Sequence, residues 1–345
     1  MDPKENLIRV ITFDHPDHVP WFLSMRPDDP DDEGSFQRLP YEGAFPPREG
    51  GRDMWGIEWQ ASDPRLMLPY PVKHPLADLA ALDDYAWPDP DDPRLLEPVK
   101  RDMHPSRLML GTHGLTLMER AHSLMGMENL FLALMTEPDK VKLLLHKIAD
   151  FQIGMAEHFV SLGVDAGWFS DDYGSQRSLL ISPAMFREFF KPLLAEIIRV
   201  YKRAGLFFFF HSCGHVEPIV PDLIEIGVDV LHPVQKHAND QAKLKREYGG
   251  QIVFAGGMDT QHILTLGTSE EVRTEALEQL ALLGQGGGYI AGPENWLPFP
   301  PENAKAFATT VKEYGTYPLR SDLVDLARQG KNNRDAAASP QSDLP

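Results

Sequence analysis

Residues 206–213 read Leu-Phe-Phe-Phe-Phe-His-Ser-Cys. Five apolar residues with no polar alternation predict a strand buried on both faces, as in a parallel sheet packed between layers. The polar residues begin where the apolar run stops. Upstream, Ser182-Pro183 opens a helical pattern, with Ser182 as N-cap and Pro183 at the first helical position, running to Ala204 and stopping at Gly205. Downstream, 216–226 has a helical pattern that stops at Gly227.

The same alternation extends both ways. Strands are expected at Arg107–Gly111, Ala166–Ser170, Leu206–Phe210, Val228–Leu231, Gln251–Ala255 and Tyr289–Ala291. Helices are expected over Pro138–Leu162, with Val141, Leu144, Leu145 and Ile148 at helical spacing, over Ser269–Leu283, and from Pro301 to Tyr314. Strands alternating with helices of this length predict an α/β fold with a parallel sheet, and the length fits a (β/α)8 TIM barrel. A doubly wound open sheet is the alternative, weakened because no glycine-rich phosphate fingerprint follows an early strand. Residues 1–105 are read as N-terminal cap segments integral to the barrel, because RPDDPDDEG and WPDPDDPRLLEP are turn-forming. Residues 106–328 form the barrel core, and 329–345 a polar, disordered tail.

The formal charge of −18 repels phosphate backbones, so nucleic acid is not an expected partner. A polyanionic substrate would need local basic groups to compensate. A single cysteine, Cys213, rules out an internal disulfide framework. The first 21 residues carry charges throughout and lack a continuous apolar stretch, so no secretory leader is expected. No apolar run is long enough to span a bilayer. A cytoplasmic location, with no membrane partner, is the expectation.

Polar residues collect immediately after the expected strands. Asp171, Asp172 and Tyr173 follow the second, with Gln176 close behind; His211, Ser212 and Cys213 follow the third; His232 follows the fourth. Gly256, Gly257, Asp259 and Gln261 follow the fifth, and Glu294, Asn295 and Trp296 the sixth. In a barrel all these ends open on one face, where catalytic groups gather. His211 and Cys213 sit two apart and so point the same way. Imidazole and thiolate can meet one zinc ion. Glu294 is the first choice as third ligand, with Asp171 and Asp172 as alternatives. The tripeptide also fits a buried thiol packed beside a hydrogen-bonded histidine. Asp171, Asp172, Tyr173 and His232 are the catalytic candidates. Of the two adjacent carboxylates, one would face the site and the other brace the loop. Trp168, Gln176, Gly257, Asp259, Asn295 and Trp296 are candidates for holding substrate, the tryptophans as an apolar wall.

The stretches DDYGSQRSLLISPAMFREFFKP (171–192), FFFFHSCGHVEPIVPDLIEIGVDVLHPVQ (207–235), FAGGMDTQHIL (254–264) and GGGYIAGPENWLPFPPEN (286–303) resemble the uroporphyrinogen-decarboxylase superfamily, most of all its corrinoid-dependent methyltransferase branch. The likeness runs from about residue 105 to 315 and implies a (β/α)8 barrel. Uroporphyrinogen decarboxylases grip a polycarboxylate with an arginine-rich N-terminal motif; here only Arg26 stands there, followed by acids, which argues against haem biosynthesis. The methyltransferase branch binds zinc through a His-x-Cys pair, matched by His211 and Cys213, and a later ligand that is often cysteine; Glu294 falls nearest that place. The resemblance implies methyl transfer between a small O-, N- or S-methylated substrate and a corrinoid, with zinc as Lewis acid on the heteroatom. No DxHxxG run occurs, so the corrinoid is expected on a partner protein. A homodimer is compatible with this reading. The rivals are a metal-assisted decarboxylase or lyase acting on a small acid, and an inactive barrel serving as a binding subunit.

Overall fold

A computed structural model describes residues 1–24, 31–62, 69–295 and 297–329. The chain divides into two compact units: Phe36–His232 with His237–Asn239, and Met1–Ser35 with Pro233–Lys236 and Asp240–Pro345.

The first unit carries five parallel strands: β1 (Phe36–Pro40), β2 (Leu108–Leu115), β3 (Ala166–Ser170), β4 (Phe207–His211) and β5 (Val230–His232). Each pairs with the next in chain order. Helix Pro138–Leu162 leads from β2 to β3. Pro138 opens it, and Gly163 closes it in the left-handed conformation at φ +81. The four phenylalanines of β4 alternate between layers, which is why no polar residue interrupts them. Phe208 packs on Phe169 and Tyr201, at ring-centroid distances of 4.7 and 5.4 Å. Phe209 faces the opposite way, 5.9 Å from Trp168 and 6.0 Å from Phe36. Each fully buried ring is worth about 2–3 kcal/mol, so the strand is anchored from both faces. The expected helix over 183–204 is interrupted. Pro183–Met185 and Lys191–Arg203 are α-helical, and Phe186–Phe190 forms a π turn between them. Pro192 explains the break, since it has no N–H to donate to the preceding turn.

β1 is a correction to the sequence reading, which has no strand before residue 107. Phe36 pairs with Leu108 and Pro40 with Thr112, so this piece of the supposed cap belongs to the main sheet. The rest of that region contains short elements, including a three-stranded antiparallel sheet of Gly51–Arg52, Glu58–Gln60 and Tyr70–Lys73.

The second unit carries β6 (Val253–Met258) and β7 (Tyr289–Pro293), paired in parallel. Trp21 forms a parallel bridge with Ala291; the Phe22 N–H donates to the Ala291 carbonyl, and the Ala291 N–H to that of Pro20. Helices Gln241–Tyr248, Ser269–Gln279 and Pro301–Tyr314 surround this pair in sequence. The described residues thus contain seven parallel strands and one bridged segment. None of the described helices is long and apolar enough to cross a membrane.

Candidate metal centre

The ends of β3 and β4 are in register, Ser170 beside His211, and His211 pairs in turn with His232 of β5. Residues just past these ends therefore emerge side by side. Gly214 and Gly174 fix the contact. A Cβ on Gly214 would lie 2.4 Å from the backbone C and O of Gly174, and Gly214 itself sits at φ +80. The His215 N–H donates to the Ser175 carbonyl at 2.7 Å, tying the two loops together.

This packing separates Asp171 from Asp172. Asp171 is fully buried and accepts the backbone N–H groups of Leu117, Met118 and Glu119 at 2.9–3.2 Å, at the start of helix Met118–Met125. It also accepts the Tyr173 hydroxyl at 2.6 Å. Burial pushes its carboxyl up to about 6, against the pull of those hydrogen bonds. Asp171 is thus a brace for the helix entry, and Tyr173 is its buried partner, wedged against Phe186 and Phe190. Both groups are buried and bonded to each other, and both stand as candidates for a catalytic role.

Asp172 points the other way. Its Oδ1 accepts the Cys213 N–H at 2.7 Å and lies 3.6 Å from His211 Nε2. Cys213 Sγ is 3.5 Å from the same nitrogen. One ligand atom each from Asp172, His211 and Cys213 lies within 4.8 Å of the others. His211 is positioned from behind: its Nδ1 is 2.7 Å from His232 Nδ1. With His211 donating there, Nε2 is left as the acceptor facing the cluster. Burial, aided by the Arg38 charge, lowers His211 to about 3, so the ring is neutral at physiological pH. A neutral imidazole, a thiol that ionises on binding and a carboxylate form a donor set suited to zinc.

Among the described residues the donor atom grouped with His211 and Cys213 is that of Asp172, one of the alternatives to Glu294. Glu294 is buried and accepts the Lys236 N–H at 2.6 Å within the other unit. Of the remaining expected residues, Trp168 is buried, stacked 6.2 Å from the His211 ring. His232 is buried behind His211. Gln176 is exposed in the turn after β3. Gly257 lies in the second unit at φ +92, with Gln241 and Gln279 against the space a side chain would fill. Asp259 is a buried cap, accepting the His262 N–H at 2.9 Å. Asn295 is exposed and pairs its backbone with the Thr260 hydroxyl. Trp296 and Arg26 lie outside the described residues.

Three residues near the cluster escaped the sequence reading. Glu119 and His122 lie one turn apart on helix Met118–Met125. Burial and the Asp172 and Asp171 charges push the Glu119 carboxyl well above its usual range. Burial lowers His122 to about 4, with Asp172 opposing. The third is Arg38 on β1, whose guanidinium carbon lies 4.8 Å over the Trp168 ring. The i, i+3 spacing of Glu119 and His122 was a usable signal, but nothing in the sequence pointed their helix at Asp172.

The family model for uroporphyrinogen decarboxylase (URO-D) matches residues 115–314, more than half of the chain. Uroporphyrinogen decarboxylase of Neisseria meningitidis serogroup C is 26% identical over 182 residues, 49% of this chain and 48% of that protein. The Neisseria gonorrhoeae enzyme is 25% identical over the same length and shares. The chain spans about half the length of the curated relatives it matches. Among solved structures, a methyltransferase from Methanosarcina mazei superposes with a TM-score of 0.71, at 19% identity, over 91% of this chain and 99% of that one. The latter likeness is one of fold. The family match spans β3 through β7 and contains His211, Cys213 and Asp172, and on that ground the chain belongs to the uroporphyrinogen decarboxylase (URO-D) family.

Proposed function

We propose that this chain is a zinc-dependent methyltransferase, moving a methyl group between a small methylated substrate and a corrinoid carried by a partner protein. The observation that supports it most is the convergence of Asp172, His211 and Cys213 at adjoining strand ends. The fold likeness to a methyltransferase is consistent with this. The eight parallel segments support reading the fold as a (β/α)8 barrel with these strand ends at its working face.

Zinc held there would supply Lewis acidity toward the heteroatom that carries the methyl group. The chain's own residues do the rest. His232 holds the His211 ring so that Nε2 faces the cluster. The Cys213 N–H on Asp172 holds that carboxylate in place. Trp168 supplies a flat apolar wall beside His211 that excludes water. Burial and two acidic neighbours raise the Glu119 carboxyl, which favours its protonated form and suits it to give a proton.

Purified protein should retain about one zinc per chain. Cys213→Ser and Asp172→Asn should each lose it with unchanged circular dichroism, while Glu294→Gln should keep it. Metal analysis of the three variants decides the ligand set; unchanged zinc in Cys213→Ser contradicts it. A spectral assay of methyl-corrinoid formation, supplied with methoxylated or methylamine substrates, tests the reaction. A second reading, metal-assisted decarboxylation of a small acid, is favoured by the decarboxylases among the relatives. Turnover independent of corrinoid would establish it.

A further inference from the structure

Arg38 projects from β1, two residues beyond Phe36 and so on the same face of the sheet as Phe36, Phe209 and Trp168. Its Nε and Nη2 are both shut off from solvent and have no hydrogen-bond partner among the described residues. Two buried donors of one cation left without an acceptor are a penalty that a bound anion would relieve.

The same chain shows what that edge is suited to. Nε and Nη2 are the two donors that point the same way from one side of a guanidinium. Arg94, Arg101, Arg187 and Arg320 each use this pair to hold a carboxylate, those of Asp92, Asp102, Asp222 and Asp322. At Arg38 the same pair is buried, and no acid among the described residues meets it. Two rings flank it: the guanidinium carbon lies 4.8 Å over Trp168 and 5.1 Å over Phe45. Rings attract the charge but offer no acceptor oxygen to the Nε–Nη2 edge, which two parallel hydrogen bonds from a carboxylate would satisfy. Phe45 is 38% exposed, so one of the two rings can swing aside without opening the core. Burial lowers Arg38 only to about 10, which leaves it charged at neutral pH.

We propose that Arg38 is the recognition site for the carboxylate of a small monoanionic substrate, bound side-on along its Nε–Nη2 edge. Arg38 is in register with Leu110, Ala166 and Phe207, four residues deeper than His211 on β4. Trp168 spans the interval, 4.8 Å from the guanidinium carbon and 6.2 Å from the His211 ring. The substrate therefore sits with its acid group inward and its reacting end toward Asp172, His211 and Cys213. A single guanidinium in a chain of net charge −18 favours one carboxylate over a polyanion. The naming of the outer end as a methylated heteroatom rests on the function proposed above; the carboxylate site does not.

The test is calorimetric binding of benzoate, acetate, benzamide and inorganic phosphate to the full chain, with zinc measured in the same preparations. Benzoate should bind wild type at least tenfold more tightly than benzamide, which has its shape without its charge. Arg38→Gln should lose at least tenfold in benzoate affinity. Arg38→Lys, which keeps the charge but not the paired edge, should lose a similar factor and guards against a folding defect in the first variant. Zinc content should not change in either. Equal benzoate affinity in wild type and Arg38→Lys, tighter phosphate than benzoate, or no binding of either carboxylate overturns the proposal. A loss of zinc-dependent turnover without those binding results would instead count against the methyltransferase reading and leave Arg38 untouched.

Discussion

At the scale of single residues, adjacent carboxylates on one chain take opposite parts. Asp171 holds a helix entry and Asp172 faces the cluster, because successive strand positions point to opposite sides. The division has a thermodynamic consequence. The folded state raises Asp171 to about 6, above its ordinary value, so between pH ~4 and ~6 the native chain retains a proton that the unfolded chain gives up. Its contribution to stability is therefore full at low pH and falls as pH rises through 6. Urea unfolding at pH 4.5 and 7 should show wild type losing about 2 kcal/mol more over that interval than Asp171→Asn. An equal or smaller loss in wild type would show that the carboxylate is not held as described. His211 and Cys213 were legible in the sequence because their spacing fixes a shared direction. The approach of Asp172 to them was not singled out, since it depends on which strand ends lie in register. Arg38 was invisible, one of several arginines in a proline- and aspartate-rich stretch, marked only by two buried donors without a partner among the described residues.

Elements show the same division between what spacing fixes and what contact fixes. The run of phenylalanines in β4 and the capped helix Pro138–Leu162 were readable because burial on two faces and termini with Pro and Gly leave marks in sequence. β1 left none: Phe36–Pro40 carries a glutamine, an arginine and a terminal proline, and is a strand only because β2 pairs with it. The join between the loops after β3 and β4 likewise rests on an approach no pattern encodes. Gly214→Ala should cost more than 3 kcal/mol or prevent folding, since its Cβ would meet Gly174 backbone at 2.4 Å. Gly163→Ala, at φ +81 but with nothing within 4 Å, should cost about 1 kcal/mol. Denaturant titration of the two variants makes the comparison; similar costs would mean that left-handed strain alone, and not the loop contact, is what Gly214 provides.

For the molecule as a whole, the alternation of strands and helices and the run of polar residues after them were both legible, and they pointed to the strand ends where Asp172, His211 and Cys213 converge. A metal bound only by the native arrangement stabilises it by mass action, about 4 kcal/mol at a free concentration one thousand times its dissociation constant. Zinc should accordingly raise the urea midpoint of wild type and leave that of Cys213→Ser unchanged. The most direct measurement is zinc K-edge X-ray absorption of the loaded protein. One sulfur at about 2.3 Å together with nitrogen and oxygen neighbours near 2.0–2.1 Å is expected, with the sulfur shell lost in Cys213→Ser. A first shell of oxygen and nitrogen alone in the wild-type protein would contradict the assignment of Asp172, His211 and Cys213 as the metal centre.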